Sequence, residues 1–166
     1  MGWRMRITAD WIGDEAAQAV MAALAAGGKQ ALFVGGCVRN ALLGVPVADI
    51  DIATEARPET VVELARAAGL KPVPTGIEHG TVTVVSHGRG FEVTTFRMDL
   101  ETDGRRAVVA FADDVADDAS RRDFTMNALY VDADGQVIDP LGGLPDVLAR
   151  RVRFVGDPHA RIAEDY

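Results

Sequence analysis

Cysteine is nearly absent from this chain: Cys37 is the single one in 166 residues. One thiol cannot form an internal disulfide, which suits a reducing compartment. No apolar run approaches the roughly 20 residues a bilayer span requires, and residues 1–6 lack the apolar stretch of a secretion signal. The expectation is a cytoplasmic protein with no membrane partner. There is no Gly-x-Gly-x-x-Gly and no Gly-Lys-Ser/Thr, so neither a dinucleotide fold nor a P-loop is indicated. His79, His87 and His159 have no metal-ligand spacing to one another or to Cys37, which reads as a small packed residue following two glycines. Basic residues are also scarce, 17 against 25 acidic ones for a formal net charge of −8. That balance argues against a nucleic-acid footprint over the whole chain while leaving room for a local basic cleft. Repeats, low-complexity segments and clear linkers are missing. The remainder, 48% hydrophobic and 25% charged, is the profile of one soluble domain with at most a small appendage.

What is present is concentrated in two stretches. The first runs Leu32-Phe33-Val34-Gly35-Gly36-Cys37-Val38-Arg39-Asn40 and continues to Ala48-Asp49-Ile50-Asp51-Ile52. It predicts a buried strand, a glycine turn, a short helix and a second strand. Alternation on that second strand sends Ile50 and Ile52 into the core and Asp49 and Asp51 to the other face. Two carboxylates at that spacing, roughly 7 Å or less, repel one another and can share divalent cations. Backbone amides at the Gly35-Gly36 turn offer an anion cradle, and Arg39, one turn into the helix, presents a fork to a phosphate. Phosphate cradle and cation site therefore fall together, a layout for nucleotidyl transfer. Glu92, between Phe91 and Val93 on a later strand, is the candidate third carboxylate; the same position also suits a solvated strand residue.

The second stretch is Arg121-Arg122-Asp123-Phe124-Thr125-Met126-Asn127-Ala128. Read as part of a helix over 120–130, it places Asp123 and Asn127 on one face, suited to ribose and phosphate, with arginines that can hold phosphates. The alternative is a solvated helix end whose arginines answer Asp113, Asp114, Asp117 and Asp118, which explains the charges but not a paired Asp and Asn beside Phe124 and Met126. The acidic residues from Asp113 to Asp118 read as a solvated run or a helix-start cluster. Elsewhere the pattern predicts helices over 14–26 and from Pro58, ending before Gly69. Strands are predicted at 31–34, 50–52, 81–85 and 91–96, the last two joined through Gly88-Arg89-Gly90. A loop is expected over 101–106, a small hairpin around Asp134-Gly135, and one or two short helices after Leu144. The fold class is α+β with a mixed sheet.

Together these residues resemble the bacterial class II tRNA nucleotidyltransferases, the CCA-adding enzymes, and their poly(A) polymerase relatives. Both belong to the polymerase-β-like nucleotidyltransferase superfamily. Gly35-Gly36-Cys37-Val38-Arg39 with Asp49-Ile50-Asp51 is similar to the family's motif for metals and triphosphate. Arg121-Arg122-Asp123 through Asn127-Ala128 resembles the motif whose Asp reads the ribose 2′-hydroxyl. Asp103-Gly104-Arg105-Arg106 looks like the flexible loop that orients the substrate in the switch from C to A. Asp139-Pro140-Leu141-Gly142-Gly143 is similar to the segment leading into a helical neck. Asn40 stands where many members carry Asp. Glu164-Asp165 resembles the start of the base-reading motif Glu-Asp-x-x-Arg, and the sequence stops before the Arg, so Asp165 alone of that pair is present.

The resemblance implies a catalytic head over residues 1–140 and the beginning of a neck over 141–166. Its expected reaction transfers CMP or AMP from CTP or ATP to the 3′-hydroxyl of tRNA, releasing pyrophosphate. Asp49 and Asp51 would bind two Mg²⁺ with Glu92 as third carboxylate. Gly35, Gly36, Arg39, Arg122, Asp123, Asn127 and Asp165 would hold the nucleotide. Without the Arg after Asp165, the chain is expected to add nucleotides weakly and with poor base choice. A poly(A) polymerase head shares every motif quoted. A nucleotide-binding module active only with a partner supplying neck and tail is the alternative outside catalysis.

Overall fold

The computed structural model describes residues 5–102, 106–122 and 124–149. Helix α1 (Glu15–Ala26) is alanine-rich and starts where the Asp14 carboxylate accepts the Ala17 N–H at 3.3 Å. It buries Val20, Met21 and Leu24 on one side. Strand β1 (Ala31–Val34) follows and enters α2 (Gly36–Leu43) through Gly35. Strand β2 (Asp51–Thr54) leads to α3 (Pro58–Ala67), whose proline sits in the first turn, where its missing N–H costs nothing. Then come β3 (Lys71–Gly76), β4 (Thr81–Ser86) and β5 (Arg89–Thr95), followed by a separate antiparallel hairpin of β6 (Arg97–Thr102) and β7 (Arg106–Phe111). Helix α4 (Val115–Ser120), a 3₁₀ turn at Thr125–Asn127, β8 (Tyr130–Val131), β9 (Val137–Ile138) and α5 (Leu144–Leu148) complete the described chain.

Among the described residues seven strands form one mixed sheet in the order β3-β4-β5-β2-β1-β8-β9. All neighbours pair antiparallel except β2 with β5, which run parallel. The expected α+β class with a mixed sheet flanked by helices is the observed one. One face of the sheet packs Phe33, Ile52, Val82, Phe91 and Val93 against α1 and α3. Ile50 and Ile52 lie in this core, as the alternation predicts. The other face carries a smaller cluster, Leu32, Val34, Ala53, Phe96 and Tyr130, covered by Ala112 and Ala119. Beyond that patch the second face carries Asp51, half-buried, and Glu92, exposed. Among the described residues no helix is long and apolar enough to cross a membrane.

Several expectations are corrected. The segment predicted as one helix over 120–130 is instead the end of α4, an extended Phe124 (φ −117°, ψ 145°), the 3₁₀ turn and the start of β8. Tyr130 pairs with both Val34 and Ile138 across the sheet, and that pairing overrides the local helical pattern. Thus Asp123 and Asn127 do not share a helical face; Asp123 lies outside the described residues. The 101–106 loop is likewise shorter than expected, because β6 continues to Thr102 and β7 begins at Arg106. Asp103, Gly104 and Arg105 fall outside the described residues. Strand β3 escaped prediction because it contains Pro72 and Pro74, which a strand tolerates at a sheet edge, where β3 sits. The β4–β5 turn is His87-Gly88, both at positive φ (51° and 76°), not Gly88-Arg89-Gly90. Strand β2 begins at Asp51, so Asp49 precedes the strand that was expected to carry both carboxylates.

Candidate active site

The site is assembled where β1 stops. Gly35 adopts φ 81° and ψ −140°, a region essentially closed to residues with a Cβ, and its carbonyl accepts the amides of Val38 and Arg39 at 3.1 Å each. This bend turns the chain from strand to helix within one residue. Replacing Gly35 with alanine meets no neighbouring atom, so the expected loss of about 1–3 kcal/mol is backbone strain alone. Urea denaturation of the variant measures it, and an unchanged midpoint would contradict the strained turn. Arg39 folds back over the turn: its Nη2 would stand 3.3 Å from a Cβ added at Gly36. Its Nη1 donates to Asn127 Oδ1 at 3.1 Å and its Nε to Asn40 Oδ1 at 3.3 Å. Two residues 88 apart, each predicted to serve the nucleotide, are therefore joined directly.

Strand register places the carboxylates. Val34 of β1, Asp51 of β2, Glu92 of β5 and Thr83 of β4 are successive partners across the sheet. Neighbouring strands lie roughly 4.8 Å apart, so Asp51 and Glu92 are immediate neighbours on one face. Burial pushes the Asp51 carboxyl above its ordinary value, and the charges of Glu92 and Asp49 push it further, while Arg122 opposes them. Asp51 is half-buried; Asp49 and Glu92 are exposed. As placed, no group of three His, Cys, Asp or Glu side chains among the described residues is close enough to ligate one ion. Carboxylates that destabilise one another, with two of the three open to solvent, are nonetheless a donor set that a divalent cation would draw together.

Two clefts meet at this pair. One, of about 220 Å³, is lined by Gly35, Asp51, Glu92, Arg97, Arg121 and Arg122. The other, of about 400 Å³, is lined by Asp49, Asp51, Glu92, Thr83, Arg89 and Gly90. The arginines of the first are organised by Asp118, whose side chain is 1% exposed. One of its carboxylate oxygens accepts Arg122 Nη2 at 2.9 Å and the Tyr130 hydroxyl at 2.6 Å. The other accepts Arg121 Nε at 3.3 Å and the Arg97 amide at 3.0 Å. Burial raises the Asp118 carboxyl, but Arg122, the Tyr130 hydroxyl and Arg121 together hold it below the usual carboxylate range. Burial also lowers the Arg97 guanidinium, with Arg121 adding repulsion, and its Nε is buried without a hydrogen-bond partner among the described residues.

Asp118 corrects the expectation of a solvated acidic run. Asp113, Asp114 and Asp117 are exposed, and Asp114 caps α4 by accepting the Ala116 N–H, but Asp118 is a buried counter-ion. Its spacing to Arg121 and Arg122, three and four residues, was the available signal. Arg97 and Tyr130 left no such local signal. Cys37 is packed as expected: 4% exposed, it donates to the Val34 carbonyl, and burial pushes its thiol up to about 11. Arg106 opens β7; Asp165 lies outside the described residues.

Residues 31–153 match the family model described as the poly(A) polymerase head domain. A CCA-adding enzyme of Leuconostoc citreum (strain KM20) is 46% identical over 151 residues, covering 90% of this chain and 36% of the relative. The chain thus spans about a third of the length of the curated relatives it matches. The Bacillus stearothermophilus CCA-adding enzyme in complex with CTP superposes with a TM-score of 0.79 at 42% identity, over 91% of this chain and 35% of that one. A tRNA nucleotidyltransferase complexed with a primer tRNA and an incoming ATP analogue gives a TM-score of 0.64 at 30% identity, over 82% and 39%.

Proposed function

The chain belongs to the poly(A) polymerase head-domain family, and we propose that it is the catalytic head of a CCA-adding-type tRNA nucleotidyltransferase. In this reading residues 1–140 form the head and 141–166 begin the neck. CMP or AMP passes from CTP or ATP to a tRNA 3′-hydroxyl, and pyrophosphate leaves. The observation that carries the reading is the position of Asp51 and Glu92 at the junction of an arginine-lined cleft and an arginine-poor one.

Asp49 and Asp51 would hold Mg²⁺, in two ions as the resemblance implies, with Glu92 as their neighbour. When bound, Mg²⁺ lowers the pKa of an attacking hydroxyl and offsets charge on the departing oxygens. The protein's own part is positioning and charge. Amides of the Gly35-Gly36 turn face the triphosphate, and Arg97, Arg121 and Arg122 offset its charge. Asn127, anchored by Arg39, and Asp123 meet the sugar. Asp165 would face the base, and the segment from Asp103 to Arg106 would orient it. Because Arg121 and Arg122 are held by Asp118, they are pre-set for an anion and need little reordering on binding.

The test is incorporation from labelled CTP and ATP into tRNA lacking its terminal nucleotides, with and without Mg²⁺. Mg²⁺-dependent extension with pyrophosphate release is expected. Repeated AMP addition to unrelated RNA would assign a poly(A) polymerase head instead. Nucleotide binding with no incorporation under any condition would leave a binding module and overturn the catalytic reading.

A further inference from the structure

The arginines around the site differ in what holds them. Arg121 and Arg122 share the Asp118 carboxylate, and Arg89 pairs with Asp14 at 2.7 Å. Arg97, Arg121 and Arg122 line the cleft beside Gly35 together with Asp51, Glu92 and Asp118, so the side chains there sum to no formal charge. Arg39 is held differently. Among the described residues it forms no ion pair. Both of its acceptors are side-chain amides, Asn40 Oδ1 for Nε and Asn127 Oδ1 for Nη1. Its Nη2 lies over the Gly35-Gly36 turn, 3.3 Å from where a Cβ on Gly36 would stand. An uncancelled positive charge therefore sits beside the amides assigned above to the triphosphate.

The Asn40 amide is fixed by both of its neighbours. A guanidinium only donates and a carbonyl only accepts, so Oδ1 must face Arg39 Nε and Nδ2 must face the Pro46 carbonyl, at 3.3 Å each. The Asn40 carbonyl also accepts the Val45 N–H at 2.8 Å. Residue 40 thus ties the arginine to the segment that leads from α2 toward Asp49. A carboxylate at this position would accept from Arg39, but it would have no proton to give the Pro46 carbonyl and would cancel the arginine's charge. An amide serves both neighbours and adds no charge.

We propose that Asn40 is a positioning residue for the nucleotidyl transfer: an uncharged partner that aims Arg39 across the glycine turn and leaves its charge for the triphosphate. Its effect passes through Arg39. The proposal rests on the nucleotidyltransferase reading, and its test separates the two.

Equilibrium binding of CTP and of inorganic tripolyphosphate, which carries the phosphates without sugar or base, is measured with Mg²⁺ for the unsubstituted chain, Asn40→Asp and Asn40→Ala. Asn40→Asp should weaken both ligands by the same factor, about fivefold, the scale of one partly exposed ion pair formed at Arg39's expense. Asn40→Ala loses the aim of Arg39 but not its charge, and should weaken both by about twofold. A role confined to tethering the segment after α2 predicts the reverse order, because the carboxylate keeps the bond to Arg39 and alanine keeps neither bond. Log affinity for tripolyphosphate should also fall less steeply with log salt in Asn40→Asp than in Asn40→Ala, a readout that tethering alone would not move. Asn40→Asp binding tripolyphosphate as tightly as the unsubstituted chain, or at least as tightly as Asn40→Ala, would overturn the role given to Asn40 and leave the catalytic reading standing. Failure of the unsubstituted chain to bind CTP would overturn the catalytic reading and this inference with it.

Discussion

Asp51→Asn is expected to lower nucleotide incorporation by on the order of 10³-fold or more, the scale set by losing several kcal/mol of transition-state stabilisation. The same substitution should make the domain more stable at neutral pH. Both effects have one cause. Burial, Glu92 and Asp49 all oppose ionisation of Asp51, so the folded state holds its proton more tightly than the unfolded chain does. A carboxyl raised in this way favours folding below its ordinary value of 3.8. That advantage is lost as pH rises through the higher folded value, because the unfolded chain then binds fewer protons. An amide carries no charge to repel. The variant should therefore exceed the parent in denaturation midpoint at pH 7 and match it well below the carboxylate range. Mg²⁺ should raise the parent's midpoint and leave the variant's nearly unmoved. Equal midpoints at all pH values, or incorporation within tenfold of the parent, would contradict the role given to Asp51.

Such a trade of stability for chemistry was legible in the sequence only where its causes are local. The run Val34-Gly35-Gly36 states its own geometry, because a strand, a residue needing positive φ and a helix start follow one another without a gap. Alternation likewise placed Ile50 and Ile52 in the core. The adjacency of Asp51 and Glu92 has a different origin. It depends on β2 and β5 pairing in parallel across 41 residues, a register that no local pattern specifies. The union of Arg39 with Asn127 is equally non-local. Prediction failed over 120–130 because Tyr130 is claimed by β1 and β9, and it failed at β3 because two prolines hide an edge strand. Charge was the least legible property. Asp113, Asp114, Asp117 and Asp118 look alike in sequence, yet the first three are exposed and the fourth is enclosed by Arg121, Arg122 and Tyr130.

That enclosed carboxylate carries the largest expected effect on folding. Asp118→Ala removes the acceptor for Arg122, Arg121, the Tyr130 hydroxyl and the Arg97 amide together. The Arg122 side chain is 19% exposed and cannot rehydrate freely, so an unpaired buried cation remains. The expected cost is about 3–5 kcal/mol, typical of breaking one side of a buried pair. Tyr130→Phe, which deletes the hydroxyl's donation to Asp118 and its acceptance from Arg122 Nε at 3.2 Å, should cost about 1–3 kcal/mol. The pH dependence runs opposite to that of Asp51. A carboxyl held below 3.8 stabilises the fold fully above that value and loses the contribution as pH falls through its lower folded value. Asp118→Ala should therefore be less stable than the parent at pH 7, with the gap closing in strong acid. Because the same carboxylate fixes Arg121 and Arg122 beside Gly35, the variant should also bind CTP more weakly even where it remains folded. Urea unfolding across pH gives the first effect and CTP titration below the midpoint gives the second. A double-mutant cycle with Arg122→Ala separates the pair from its surroundings. A cost under about 1 kcal/mol, in the range of exposed pairs, would mean that Asp118 does not organise the cationic side of the cleft.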